Sequence, residues 1–234
     1  MRHQDESSAQ RFHPVLSSSG FSITELLLAV GTFIFVVGGV LLLDLQKSKT
    51  VMLSQYENLI NRDIRGLTIE LNETAKHASY FLLYEGPQTV HRDDADDRLV
   101  PSMSGDMVVF VFTDPEKSGA ESQSIDRVVG YFRTPERWVD ISGVGPIKKF
   151  EVRYDPSVDL GENGISKIEE LYPKSLNKQF IQVAKLSRGL NDGSLFYNAD
   201  NHSIVVNGQI FHGSSDVWVH DVCSFTISPE DFAQ

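Results

Sequence analysis

From residue 21 to residue 43 the chain is apolar on every side of a helical wheel, interrupted by one carboxylate, Glu25. These 23 residues rise ~1.5 Å each in a helix, enough to cross a hydrocarbon layer of ~30 Å. After residue 43 the pattern becomes one-sided. Leu45, Met52, Tyr56, Leu59, Ile60, Ile64, Leu67, Leu71, Ala75 and Ala78 recur at three- and four-residue steps, while Lys47, Lys49, Glu57, Asn61, Arg62 and Glu70 fill other faces. That is the spacing of an amphipathic helix with one buried stripe. The two stretches together predict a single helix from Phe21 to Ala78. Gly38-Gly39 and Gly66 are its expected weak points, since glycine costs a helix ~1 kcal/mol relative to alanine.

Beyond Tyr84 the period changes to two. Residues 106–113, 125–133 and 148–154 read as strands, and in the last of these Phe150, Val152 and Tyr154 share one face. Residues 194–197 read as a short strand, and residues 217–227 as one that completes the sheet. Ile204-Val205-Val206 and Gln209-Ile210-Phe211 flank Asn207-Gly208, the dipeptide that a type I′ hairpin turn favours, so a hairpin is expected there. Residues 86–105 and 155–178 read as loops, the second with a short helix at 166–171. Few helix-spaced segments separate the strands, so the sheet should be largely antiparallel. The predicted fold class is α+β: a long N-terminal helix, its front half transmembrane, packed on a largely antiparallel β-sheet head.

Composition narrows the chemistry. The 234 residues carry a formal net charge of −11, which repels phosphate backbones and argues against nucleic acid as a partner. The one cysteine, Cys223, excludes an intrachain disulfide and sits in an alternating apolar segment, as a small core residue does. No HExxH, GxSxG, Walker or GxGxxG motif is present, so no enzymatic activity and no cofactor are expected. Asp93, Asp94, Asp96 and Asp97 have the oxygens that Ca²⁺ wants, but four acids flanked by His91, Arg92 and Arg98 read first as a solvated loop. Asp155, Ser157 and Asp159 mimic the start of an EF-hand loop, and then Leu160 and Ser166 stand where Gly and Glu are required. Asn191-Asp192-Gly193 reads as turn chemistry. His202, His212 and His220 fall in the strand-rich C-terminal part without a carboxylate at defined spacing, so no metal site is expected. Trp138 and Trp218 read as packing or interface anchors.

Glu25 changes the picture most. An ionisable group inside a membrane-length apolar run is costly and marks a functional site with a partner to be found. Gly20, Phe21 and Glu25, followed by the apolar helix, resemble the class III signal of type IV prepilins and type II secretion pseudopilins. There a Gly precedes the cleavage site, Phe or Met follows it, and Glu stands at the fifth mature position. Two features differ from that pattern: the nearest basic residue before Gly20 is Arg11, and residue 42 is Leu where many major pilins have Pro. An ordinary secretory signal fits worse, because no A-x-A-like site follows Leu43.

The resemblance implies cleavage between Gly20 and Phe21 by a prepilin peptidase, N-methylation of Phe21, and a role for Glu25 in assembly register through a neighbour's new amine. It implies a bacterial single-pass inner-membrane protein with its head extracytoplasmic, later part of a type IV pilus or pseudopilus. The expected division is a cleaved leader at 1–20, a transmembrane and filament-core helix at 21–43, its amphipathic continuation at 44–83, and a β-rich head at 84–234. Expected partners are other pilins or pseudopilins, the peptidase and the inner-membrane assembly platform, in protein transport by secretion or in a pilus. Size and the Arg62-Asp63-Ile64-Arg65 stretch lean toward a minor subunit of the J or W type. The competing expectation is a membrane-tethered binding or sensor domain that does not polymerise.

Overall fold

The apolar run and the one-sided stripe form one α-helix, α1 (Ile23–Lys76). It belongs to a computed structural model that describes residue 20 and residues 22–114, 123–134, 143–161, 164–176, 180–200, 202–214 and 217–229. Phe21, the expected leader before Gly20, and Trp138 lie outside the described residues. The helix runs without a break through Gly38, Gly39 and Gly66, so their low propensity does not interrupt it. It closes with a basic residue, Lys76, in its last turn, where a cation suits the helix dipole, and stops two residues short of the expected Ala78.

The chain divides into two compact units, residues 1–50 and residues 51–234. In the first, the described part from Ile23 on is helical and nothing in it is buried. Ile23, Leu28 and Phe35 are 77%, 74% and 82% exposed. Exposed leucines are ordinary one at a time; a continuous belt of them is not.

In the second unit the rest of α1 joins a sheet of nine strands: β1 (Tyr80–Tyr84), β2 (Ser104–Gly105), β3 (Met107–Thr113), β4 (Gln123–Arg133), β5 (Gly145–Leu160), β6 (Ile181–Gly189), β7 (Phe196–Asn198), β8 (Ile204–Ser214) and β9 (Val217–Ile227). Every pairing is antiparallel, in the order β1-β3-β4-β5-β6-β8-β7-β2, with β9 on β8. The α+β class and the antiparallel sheet agree with the sequence pattern.

Both faces of the sheet are covered. On one, Ile60, Leu67, Leu71 and Ala75 of α1 pack with Phe81, Leu83, Val108, Phe110, Phe112 and Tyr131. On the other, Tyr84, Met107, Val109, Val111, Phe132 and Phe150 meet Ile168, Tyr172 and Leu176 from the stretch before β6. The apolar run of β3 thus splits by period two between two cores, Val108, Phe110 and Phe112 to the helix and Met107, Val109 and Val111 away from it. Phe150, Val152 and Tyr154 share the second face, as their alternation predicts. The buried stripe of α1 begins only at Ile60, since Leu45 and Met52 remain 61% and 45% exposed.

Four expectations need correction. Strand β1 occupies residues expected to continue the helix. β5 continues to Leu160 through part of the expected loop, and the expected short helix is a 3-10 turn at Ile168–Leu171. The Asn207-Gly208 hairpin does not form: β8 passes straight through both residues and pairs with β9 from Ile204↔Ile227 to Ser214↔Val217. Glycine stands at 208 for space, because a Cβ there would come within 2.6 Å of Leu195 Cδ1 and 2.9 Å of the Arg188 carbonyl oxygen. The positive-φ pair that such a turn needs is at Asp192 (φ 51°) and Gly193 (φ 87°), closed by Asn191 and Ser194 hydrogen-bonding each other's backbones.

Space also fixes Gly130 on β4. A Cβ there would lie 2.1 Å from the ring of Phe150, its cross-strand partner. Gly130→Ala is therefore expected to destabilise the head by ~1–3 kcal/mol through overpacking, read as a lower denaturant midpoint at unchanged m-value.

Candidate assembly site at the start of the long helix

Ser22 caps α1. Its Oγ accepts the Thr24 backbone N–H at 3.3 Å, and the Glu25 side chain reaches back so that Oε2 accepts the Ser22 N–H at 3.1 Å. This S-x-x-E reciprocity satisfies backbone donors that a helix start leaves open. The signal, Ser22 followed three residues on by Glu25, is legible in the sequence, though the apolar run draws attention away from it.

The hydroxyls of this segment are satisfied locally too. Ser22 Oγ and Thr24 Oγ1 are 2.6 Å apart, and Thr32 Oγ1 donates to the Leu28 carbonyl. What remains is an apolar surface with a single charge, Glu25, one turn from its start. Its carboxylate suits the positive end of the helix dipole. Gly20 lies just before this cap; Phe21 is outside the described residues. One helix in the described chain, α1, is long and apolar enough to cross a membrane.

The other candidate residues serve the head's own structure. The acidic run forms a capped 3-10 turn: Asp97 Oδ2 accepts the N–H groups of Asp93 and Asp94, both at 2.9 Å, and Asp94 Oδ1 accepts that of Ala95 at 2.7 Å. The Ala95 N–H and the Lys167 ammonium hold the Asp94 carboxyl below its ordinary range. Asp155, Ser157 and Asp159 lie in β5, where Ser157 meets the Ser124 hydroxyl at 3.0 Å. The three histidines do not converge. His212 Nε2 lies 2.9 Å from Asp63 Oδ2 of α1, whereas His220 pairs across from Phe211, on the alternate side of the β8–β9 ladder, and His202 sits in the turn before β8. Among the described residues no cluster of His, Cys, Asp or Glu could hold a metal ion. Cys223 is 2% exposed in the helix-side core, and burial pushes its thiol up, away from thiolate chemistry. Trp218 is half-buried in β9.

Two buried networks escape sequence reasoning, because their partners are far apart along the chain. Arg133 binds Asp106 in a bidentate fork, Nε to Oδ1 at 3.0 Å and Nη2 to Oδ2 at 2.6 Å. In the second, Arg98 grips Glu169 through Nε–Oε1 at 2.7 Å and Nη2–Oε2 at 3.0 Å, and Tyr84 donates to Glu169 Oε1 at 2.7 Å. Burial alone would raise the Glu169 pKa, but donation by Arg98 and Tyr84 outweighs it, and the carboxyl titrates below its ordinary value. A depressed folded pKa contributes stability that is present above the unfolded pKa and lost as pH falls through the folded one. The head should therefore lose stability on acidification below about pH 4.3, the ordinary glutamate value. Glu169→Gln should flatten that acid limb in denaturation midpoints taken from pH 3 to 7.

Compared with protein-family models, curated proteins and solved structures, the chain matches none. The functional reading therefore rests on residues and geometry alone.

Proposed function

We propose that the protein is a minor pilin or pseudopilin, a non-enzymatic subunit of a type IV pilus or type II secretion pseudopilus. One observation carries the reading: a helix start that is apolar on every side and uncovered, with Glu25 as its only charge, four residues after Phe21. Cleavage between Gly20 and Phe21 creates an ammonium at Phe21, which methylation leaves charged. A neighbouring subunit's Phe21 amine then gives Glu25 its counter-charge when the apolar helices bundle. A misregistered neighbour leaves a buried charge alone, at a cost of ~3–5 kcal/mol. Before assembly the same helix holds the subunit in the inner membrane with the head outside. Its partners are other pilins, the prepilin peptidase and the assembly platform. The Arg62–Arg65 stretch and the size favour a J-type or W-type minor subunit.

A second reading has its own support. The Ser22–Glu25 bond gives the carboxylate a use within one chain, as a membrane-tethered binding domain would need. Intact mass and N-terminal sequencing of membrane-extracted protein, co-expressed with a prepilin peptidase, separate the two. The pilin reading expects a chain beginning at N-methyl-Phe21. An uncut chain, or one cut after Leu43, sinks it.

A further inference from the structure

On the sheet face away from α1, two adjoining cavities of about 440 and 370 Å³ share Thr89, Arg92 and Lys174 in their walls. Each is of a size that holds a small ligand. Arg92 is 2% exposed. Its Nε donates to the Pro87 carbonyl at 2.8 Å and its Nη2 to the Pro173 carbonyl at 2.9 Å. Both partners are neutral, and among the described residues Arg92 forms no ion pair with a carboxylate. A buried cation without a counter-charge is costly, and this one is held in place by the backbone on either side. Burial lowers its pKa, and the charge of Asp93 opposes that shift.

The surrounding charges sort by whether they are already used. Glu169 is engaged by Arg98 and Tyr84, and Asp94 by Ala95 and Lys167. Lys174 is exposed and, among the described residues, in no ion pair. Asp93 and Glu170 are exposed carboxylates in the wall of the larger cavity, also without an ion pair there, although Glu170 Oε1 accepts the Ser166 hydroxyl at 2.6 Å. A ligand carrying only negative charge would meet those two acids; one carrying only positive charge would meet Arg92.

We propose that this double cavity binds a small zwitterion of the amino-acid or short-peptide class, its carboxylate against Arg92 and Lys174 and its ammonium toward Asp93 and Glu170. The inference does not depend on the pilin reading, since the cavities lie wholly within the head.

Titration calorimetry on the full chain in detergent, with glycylglycine as probe, tests it. Expected is saturable one-to-one binding, weakened at least about tenfold for N-acetylglycine and for glycinamide, each of which lacks one charge. Arg92→Gln should weaken glycylglycine most, but it also removes a tie between the Pro87 and Pro173 backbones. The exposed changes Lys174→Ala and Glu170→Gln leave the fold intact and should each weaken glycylglycine about three- to tenfold. Glu170→Gln should not weaken N-acetylglycine and should tighten it, because one of the two acids that repel its carboxylate is gone. No saturable binding of glycylglycine by the folded wild-type chain overturns the proposal. So does binding that neither surface variant alters, or N-acetylglycine binding as tightly as glycylglycine.

Discussion

Arg133→Met is expected to cost the head ~3–5 kcal/mol, a large fraction of the total stability of an ordinary domain. The guanidinium is 2% exposed and holds four separate pieces of chain together. It grips Asp106, just before β3, from the last residue of β4. Its Nη1 donates to the Gly143 carbonyl, and its Nη2 to the Gly193 carbonyl at 2.6 Å. Asp106 Oδ1 also accepts the Leu195 N–H at 3.0 Å. Methionine fills much of the volume but leaves Asp106 buried without its cation and two carbonyls without their donor. That asymmetry sets the size of the effect, since losing one partner of a buried pair costs far more than replacing both. The double change Arg133→Met, Asp106→Leu should accordingly recover part of the loss. Urea denaturation followed by circular dichroism reads both. A single-variant loss under ~1 kcal/mol would mean that water reaches the pair and the junction is held by strand packing instead.

The elements most legible in the sequence are those whose signal is local and periodic. The helix was readable from apolar residues at three- and four-residue steps, and β3 and β5 from runs that alternate or stay apolar throughout. β6 was missed because Ile181-Gln182-Val183-Ala184-Lys185 mixes small, charged and apolar residues, and its pairing with β5 carries two register shifts. β1 was missed because Tyr80-Phe81-Leu82-Leu83 continues an apolar stripe after the helix has ended at Lys76. Asn207-Gly208 misled because a turn and a crowded strand both ask for glycine, and only tertiary contact shows which applies. At the candidate site, Gly20 and Glu25 stand out by spacing alone. The Arg133–Asp106 and Arg98–Glu169 networks join residues 27 and 71 positions apart, a distance over which no sequence period carries information. Asp63 belongs with these: its pairing with His212 across 149 positions gives a structural reason for an acid in the Arg62–Arg65 stretch.

Glu25→Gln is the second large expected effect, because it separates the two uses of this side chain. Glutamine keeps an oxygen that can accept the Ser22 N–H, so the helix cap survives. It removes the negative charge. If Glu25 meets a neighbour's Phe21 ammonium in an apolar bundle, that ammonium is left unpaired at ~3–5 kcal/mol per interface, and assembly should fall by a hundredfold or more. Glu25→Ala should fall as far, with only the loss of the cap, ~0.5–1 kcal/mol of local helix stability, added. The two variants should thus be nearly equal in assembly and different in helix fraying. If capping were the whole role of Glu25, the two variants would separate in assembly: glutamine close to wild type and alanine mildly impaired. The measurement is the fraction of chain recovered in sheared or cross-linked filaments rather than in membranes, with prepilin peptidase and partner subunits co-expressed. Wild-type recovery by Glu25→Gln would remove the charge from the mechanism and favour a tethered domain, whose Glu25 does no more than the Ser22 bond requires.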